Sequence, residues 1–225
     1  MEPTVIAVDW SGAKQPKGIW IAVVRDGDLA ESRPCRTRED AVARVLAEPA
    51  PVVAGFDFSF SVPAWFAAEL GCTTVDAVWA HAATDGEEWL VPTPPFWRTR
   101  CELPEDRRFR RCERHFPTAK SIFQCVGNGQ VGPGSVRGMP LLADLRAAGF
   151  AIWPFDAAGT RTACEIYPSA LRGLVPDAGP FTTNDERDAV CAALAMWAHR
   201  AEFGHLPAAD DPVTRIEGDV WMPGA

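Results

Sequence analysis

Five acids in this chain stand in otherwise apolar surroundings: Asp9, Asp57, Glu165, Asp185 and Asp188. Asp9 follows Val5-Ile6-Ala7-Val8, Asp57 closes the run Pro51 to Phe56, and Glu165 lies within Thr162 to Tyr167. Burying an ionised carboxylate in an apolar strand is costly, and several side by side repel one another. A divalent cation relieves both problems. Hard oxygen donors select Mg2+ or Mn2+, and two such ions about 4 Å apart can activate water and stabilise the leaving oxygen of a phosphodiester. Asp185 taken alone is explained as a first-turn helix acid. Asp188 follows three residues later, on the same helix face, just before an apolar run.

These acids can meet only if the elements that carry them converge. Val5 to Trp10 reads as a strand covered on both faces, and Ser11 to Lys17 as a turn. Gly18 to Val24 is a second strand, antiparallel to the first, and Arg25-Asp26-Gly27-Asp28 turns into a weak third. Thr37 is placed to cap a helix over about Arg38 to Glu48. Pro51 to Asp57 is a buried strand, and a helix follows from Pro63 to about Leu70. The segment from about 73 to 140 reads as an irregular insertion or lid, with a Gly-rich loop at Gly127, Gly129, Gly132, Gly134 and Gly138. Beyond it come a helix over Leu141 to Ala148 and strands over Gly149 to Phe155 and Thr162 to Tyr167. Asn184 is expected to cap the longest helix, about Asp185 to Phe203, and the tail ends in a short edge strand.

Three antiparallel strands leading through a helix into parallel strands predict a ribonuclease H-like α/β domain. Its sheet would be mixed and five-stranded, flanked by helices, with residues 1–225 forming one domain. A dinucleotide-binding fold would alternate strand and helix from the start. Strand alternation puts Asp9 on one face with Val5 and Ala7, and Asp57 on one face with Val53 and Gly55.

Composition narrows the function. Hydrophobic residues make up 47% and charged residues 23%, as in ordinary soluble domains. No apolar run approaches the roughly 20 residues of a membrane span, and no basic leader precedes the first strand. A cytoplasmic protein without a membrane partner is expected. The seven cysteines form no CxxC pair and read as reduced thiols.

A net charge of −8 argues against a surface that coats nucleic acid. Locally, however, residues 98–120 hold eight Lys/Arg against four Asp/Glu. Arg107, Arg108, Arg110 and Arg111, interleaved with Phe109, His115 and Phe116, could hold a nucleic-acid backbone and stack bases. The competing account is a solvated face paired with Glu105, Asp106 and Glu113. Lys14, in the first hairpin turn, could meet a phosphate. No GxSxG elbow, P-loop or GxGxxG is present.

Val5-Ile6-Ala7-Val8-Asp9-Trp10-Ser11-Gly12, Gly55-Phe56-Asp57, Glu165-Ile166-Tyr167-Pro168 and Asp185-Glu186-Arg187-Asp188-Ala189-Val190 resemble, in that order, the predicted-nuclease family called domain of unknown function 429. Gln124 and the run Gly127 to Gly132 are similar to it as well. The resemblance spans residues 5 to about 200. It implies a ribonuclease H-like fold and metal-binding, catalytic roles for Asp9, Asp57, Glu165 and Asp188, with Asp185 as a further ligand. The Asp-x-x-Asp-Ala element is also similar to Holliday-junction resolvases. The expectation is a Mg2+- or Mn2+-dependent nuclease that takes nucleic acid through its arginine-rich insertion. The alternative is a non-catalytic module that keeps the fold and binds a nucleotide or phosphate ligand.

Overall fold

A computed structural model describes residues 2–15, 17–91, 94–97, 101, 103–127, 129–175 and 179–224. Strands β1 (Thr4–Asp9), β2 (Ile19–Arg25) and β3 (Asp28–Cys35) form the antiparallel half of one sheet. Helix α1 (Arg38–Leu46) leads into β4 (Val52–Phe56), which pairs parallel to β1. Helices α2 (Ala64–Glu69), α3 (Val75–Trp89), α4 (Glu105–Arg108) and α5 (Gly132–Ala147) follow. The parallel half is completed by β5 (Ala151–Trp153) and β6 (Arg161–Glu165), before α6 (Pro168–Leu171), α7 (Asn184–Ala198) and α8 (Thr214–Glu217).

The sheet therefore has six strands, not the expected five, in the order β3-β2-β1-β4-β6-β5. β6 enters between β4 and the short edge strand β5. The tail adds an isolated parallel bridge between Glu165 and Val220 rather than a full edge strand.

Alternation divides the sheet into two cores. Ile6, Val8, Ile21, Val23, Ala54 and Phe56 face α1, α3 and α5. Val5, Ala7, Ala22, Val24 and Val53 face α7, whose Ala189, Val190, Ala193 and Met196 are buried against them. Asp9 and Asp57 thus share the α7 side with the helix that carries Asp185 and Asp188.

Three sequence expectations change. The cap of α7 is Thr183, whose hydroxyl accepts from the Glu186 N–H at 3.0 Å, and Asn184 is already helical. The helix ends at Ala198, and a separate 3-10 turn covers Glu202–Gly204. Gly132, Gly134 and Gly138 lie inside α5, not in a loop. Two of them serve close packing: a Cβ on Gly132 would stand 2.4 Å from the Ile122 carbonyl oxygen and one on Gly138 2.7 Å from the Phe58 ring, whereas opposite Gly134 the tight position is Gly12, whose added Cβ would fall 2.6 Å from the Gly134 nitrogen. The insertion that begins near residue 73 opens with the 15-residue helix α3.

Gly55 sets how closely α7 approaches the sheet. A Cβ there would fall 2.7 Å from the Met196 sulfur and 2.8 Å from Ile166 Cγ2. Gly55→Ala should therefore overpack this layer and lower unfolding free energy by about 1–3 kcal/mol in urea titration.

Candidate functional site

A cleft of about 420 Å3 opens beyond the C-terminal ends of β1, β4 and β6. Open α/β sheets place ligands at this edge. Trp10, Asp57, Phe58, Glu165, Ile166, Tyr167, Arg172 and Asp188 line it, with Phe116, Lys120 and the Gly129–Val131 segment on the facing wall.

Each aspartate is held by a different element. Asp9 is the last residue of β1 and only 8% exposed, behind the cleft lining. Asp57 follows β4 directly, and its N–H donates to the Val8 carbonyl at 3.1 Å, continuing the β1–β4 ladder. Asp185 and Asp188 stand at the start of α7. Asp185 is seated against Gly18, where a Cβ would come within 2.6 Å of its Oδ2. Gly18 also has a φ of +73°, so two constraints favour glycine there.

The hairpin turn after Asp9 is pinned from three sides. Arg38 donates to the Ser11 and Ala13 carbonyls, and Arg137 to that of Gly12. Trp10 Nε1 donates to the Gly134 carbonyl at 3.1 Å.

The aspartates sense one another strongly. Burial, then Asp57, Asp188 and Asp185, push Asp9 up to about 9. Burial, then Asp188 and Glu165, push Asp57 up to about 7. Asp185 is also raised, by burial and by Asp188. Arg172 acts in the opposite sense on Asp9 and Asp57. Its Nε and NH2 donate to the two oxygens of Asp188, one to each.

Glu165 has a different role from the one expected. It shares its sheet face with Ala163, which belongs to the core opposite α7, while Cys164 and Ile166 belong to the α7 core. Its Oε2 accepts from the Phe60 N–H at 2.8 Å and from Arg110 NH1 at 2.8 Å, and its Oε1 accepts from Arg110 NH2. Both oxygens are thereby committed. Burial raises its pKa, and Arg110 works against that rise. Among the described residues, no group of three or more His, Cys, Asp or Glu side chains is gathered closely enough to hold a metal ion. The expected five-carboxylate metal cluster is therefore not assembled in this arrangement.

The arginine-rich insertion also departs from expectation. Arg110 is wholly buried, bonded to Glu113, Glu165 and the Glu217 carbonyl, and cannot touch a substrate. Arg107 stacks 3.8 Å over Trp65 and pairs with Glu69 at 2.6 Å. Arg108 donates to the Leu103 carbonyl at 2.7 Å, and Arg111 pairs with Asp211 and Thr214. None of the four lines the cleft. The competing account, a solvated face paired with neighbouring acids, fits only in part: these arginines are paired within the protein, but Arg110 is buried and, of the three acids named, only Glu113 is a partner. Lys14 lines a second cleft of about 470 Å3 with Glu87 and Arg137, which shares Gly12 and Gln130 with the first. The cations that do face the main cleft, Lys120 and Arg172, carried no periodic or motif signal that would have singled them out.

No family model, curated protein or solved structure matches this chain. Its chemistry must be argued from the cleft itself.

Two outcomes follow. Arg110→Ala would leave Glu113 and Glu165 buried without their counter-charge, so stability should fall by about 3–5 kcal/mol in denaturant titration. The aspartates give a pH signature. Folded-state values of about 9 for Asp9 and about 7 for Asp57 lie above the ordinary 3.8, so the folded chain binds protons more tightly than the unfolded one. The resulting stability is full below pH 3.8 and is lost as pH rises through about 7 and then about 9. Asp9→Asn should remove much of that loss. At pH 8 in EDTA its thermal midpoint should exceed the wild type's, by about 2–4 °C per kcal/mol of repulsion relieved. Near pH 4 the two proteins should melt together.

Proposed function

We propose that the cleft is the active site of a divalent-cation-dependent phosphodiesterase acting on nucleic acid or a fragment of it, within a ribonuclease H-like fold. One observation carries this reading. Asp9, Asp57 and Asp188 arrive from β1, the end of β4 and α7, and burial, reinforced by the neighbouring carboxylates, raises Asp9 to about 9 and Asp57 to about 7. Such a site calls for positive charge. Three antiparallel strands running into parallel ones support the fold assignment. So does the ordered resemblance of the acid-bearing motifs to the domain of unknown function 429 family.

Oxygen donors of this kind suit Mg2+ or Mn2+, so the donor chemistry fits. Asp9, Asp57 and Asp188 would hold the ion, with Asp185 at the rim; Glu165 is excluded because Arg110 and Phe60 occupy its oxygens. A bound divalent cation supplies Lewis acidity and charge neutralisation at a phosphoryl group. The protein's own side chains supply the rest. Lys120 and Arg172 face the same space and are placed to bind phosphate oxygens. Trp10, Phe58, Phe116 and Tyr167 offer apolar surface against which a base can lie. The buried Glu165–Arg110 pair fixes the floor from which Asp57 projects.

A second reading, a non-catalytic module for a nucleotide or phosphate ligand, is favoured by the hold of Arg172 on Asp188. Calorimetric titration with Mn2+ and a cleavage panel of single-stranded and duplex DNA and RNA separate the two. The phosphodiesterase reading expects Mn2+ binding weakened at least ten-fold by Asp9→Asn. It also expects Mn2+-dependent cleavage of at least one substrate, reduced a hundred-fold or more in that variant. Thermal stabilisation by ATP or GTP with no turnover on any substrate would instead favour the module.

A further inference from the structure

The two arginine–carboxylate pairs at the cleft differ in kind. Arg110 is 0% exposed, and its Nε, NH1 and NH2 all donate to Glu113, Glu165 or the Glu217 carbonyl. Pulling it away would strand charge in the core, so that pair is permanent. Arg172 is 36% exposed, and its NH1 makes no hydrogen bond to any described residue. It sits where the four-residue helix α6 passes into a 3-10 turn over Arg172–Leu174, a short support that leaves the long side chain room to turn. Both oxygens of Asp188 are covered by this two-pronged, part-buried pair, whose arginine keeps an edge open to the cleft and solvent where Arg110 has none. Arg187 Nε lies 3.9 Å from Asp188 Oδ1, too far for a hydrogen bond, so Arg172 is the close cation of this carboxylate.

From this contrast, and resting on the phosphodiesterase reading, we propose that Arg172 is a phosphate-binding residue parked on Asp188. It gives up that carboxylate when a divalent cation takes it, and the freed guanidinium turns to a phosphate in the same cleft. No bond is made or broken covalently; one cation replaces another on Asp188, and the displaced charge is re-paired by the incoming anion. Arg172 lines the cleft beside Asp57 and Tyr167, so its reach needs no movement of the sheet. A guanidinium fork that matches a carboxylate also matches two phosphate oxygens. The exchange fits the hard oxygen donors of the cleft and the cover that Arg172 places on both oxygens of Asp188, since such a cation is held by one or two carboxylates together with substrate phosphates. It also makes cation and phosphate binding mutually reinforcing, because each removes the partner that Arg172 would otherwise hold.

The test is calorimetric and needs no turnover. Mn2+ is titrated into wild type, Arg172→Gln and Arg172→Lys, with and without thymidine 5′-monophosphate, after circular dichroism has shown all three to be folded. Arg172→Gln should bind Mn2+ about ten-fold more tightly than wild type when no nucleotide is present, since nothing competes for Asp188. Its affinity for the monophosphate in saturating Mn2+ should fall at least ten-fold. In wild type the monophosphate should tighten Mn2+ binding, and in Arg172→Gln that coupling should disappear. Arg172→Lys, which keeps the charge and loses the fork, should fall between them on both measures. Mn2+ affinity that is unchanged or weaker in Arg172→Gln overturns the exchange while leaving the cation site standing. Absence of Mn2+ binding in all three proteins overturns the exchange and the cation-dependent reading together.

Discussion

A wholly buried guanidinium organises this end of the molecule. Arg110 has no access to solvent, so every one of its donors must find an acceptor within the protein, and the acceptors come from distant parts of the chain. Glu165 ends the last strand to enter the sheet, Glu113 follows in the insertion, and Glu217 offers its carbonyl from near the C-terminus. The same carboxylates then bind backbone. Glu165 accepts from Phe60 N–H, Glu113 from Arg110 N–H, and Glu217 from the N–H groups of Ala64 and Arg111. One ion-pair network therefore ties the loop after β4, the insertion and the tail into a single rigid floor. Asp57 stands on that floor, three residues before Phe60.

Above the floor, the electrostatics run the other way. The acids of the floor are matched by arginine and by backbone amides, whereas the aspartates of the α7 face are matched only in part. Asp9 and Asp57 are lifted out of the ordinary carboxylate range because burial and neighbouring charge act together on them. Two sets of acids, similar in composition, thus differ in how far their charge is matched by the groups around them.

That division was partly legible in the sequence. The period-two pattern placed Asp9 and Asp57 on one face, and the sheet confirms that both lie on the side covered by α7. The same rule applied to Thr162-Ala163-Cys164-Glu165-Ile166 separates Glu165 from that group, because Ala163 belongs to the opposite core. Motif order outweighed it and grouped Glu165 with the aspartates. Arg110 was not legible at all: its near acceptor Glu113 lies within reach of several arginines in sequence, and the two acceptors that mark it as buried lie 55 and 107 residues away. The glycines of α5 misled for a related reason. Gly132 and Gly138 are there for what approaches them, the Ile122 carbonyl and the Phe58 ring, and close approach leaves no trace in local propensity. The antiparallel-then-parallel order of strands, by contrast, needed only local hydrophobic runs and was read correctly apart from the count.

The segment around Trp221 closes over the strand that carries Glu165. Trp221 is fully buried, its N–H donates to the Glu165 carbonyl at 2.9 Å, and Val220 bridges to the same residue. Glu165 is thereby held on its backbone by residues 220 and 221 and on its side chain by Arg110, which itself leans on Glu217. The backbone and the side chain of one glutamate are thus clasped from two directions. Loosening the Trp221 contact would release the Glu165 backbone and, through it, the carboxylate on which Arg110 rests, so the clasp and the buried ion pair open or close as one unit.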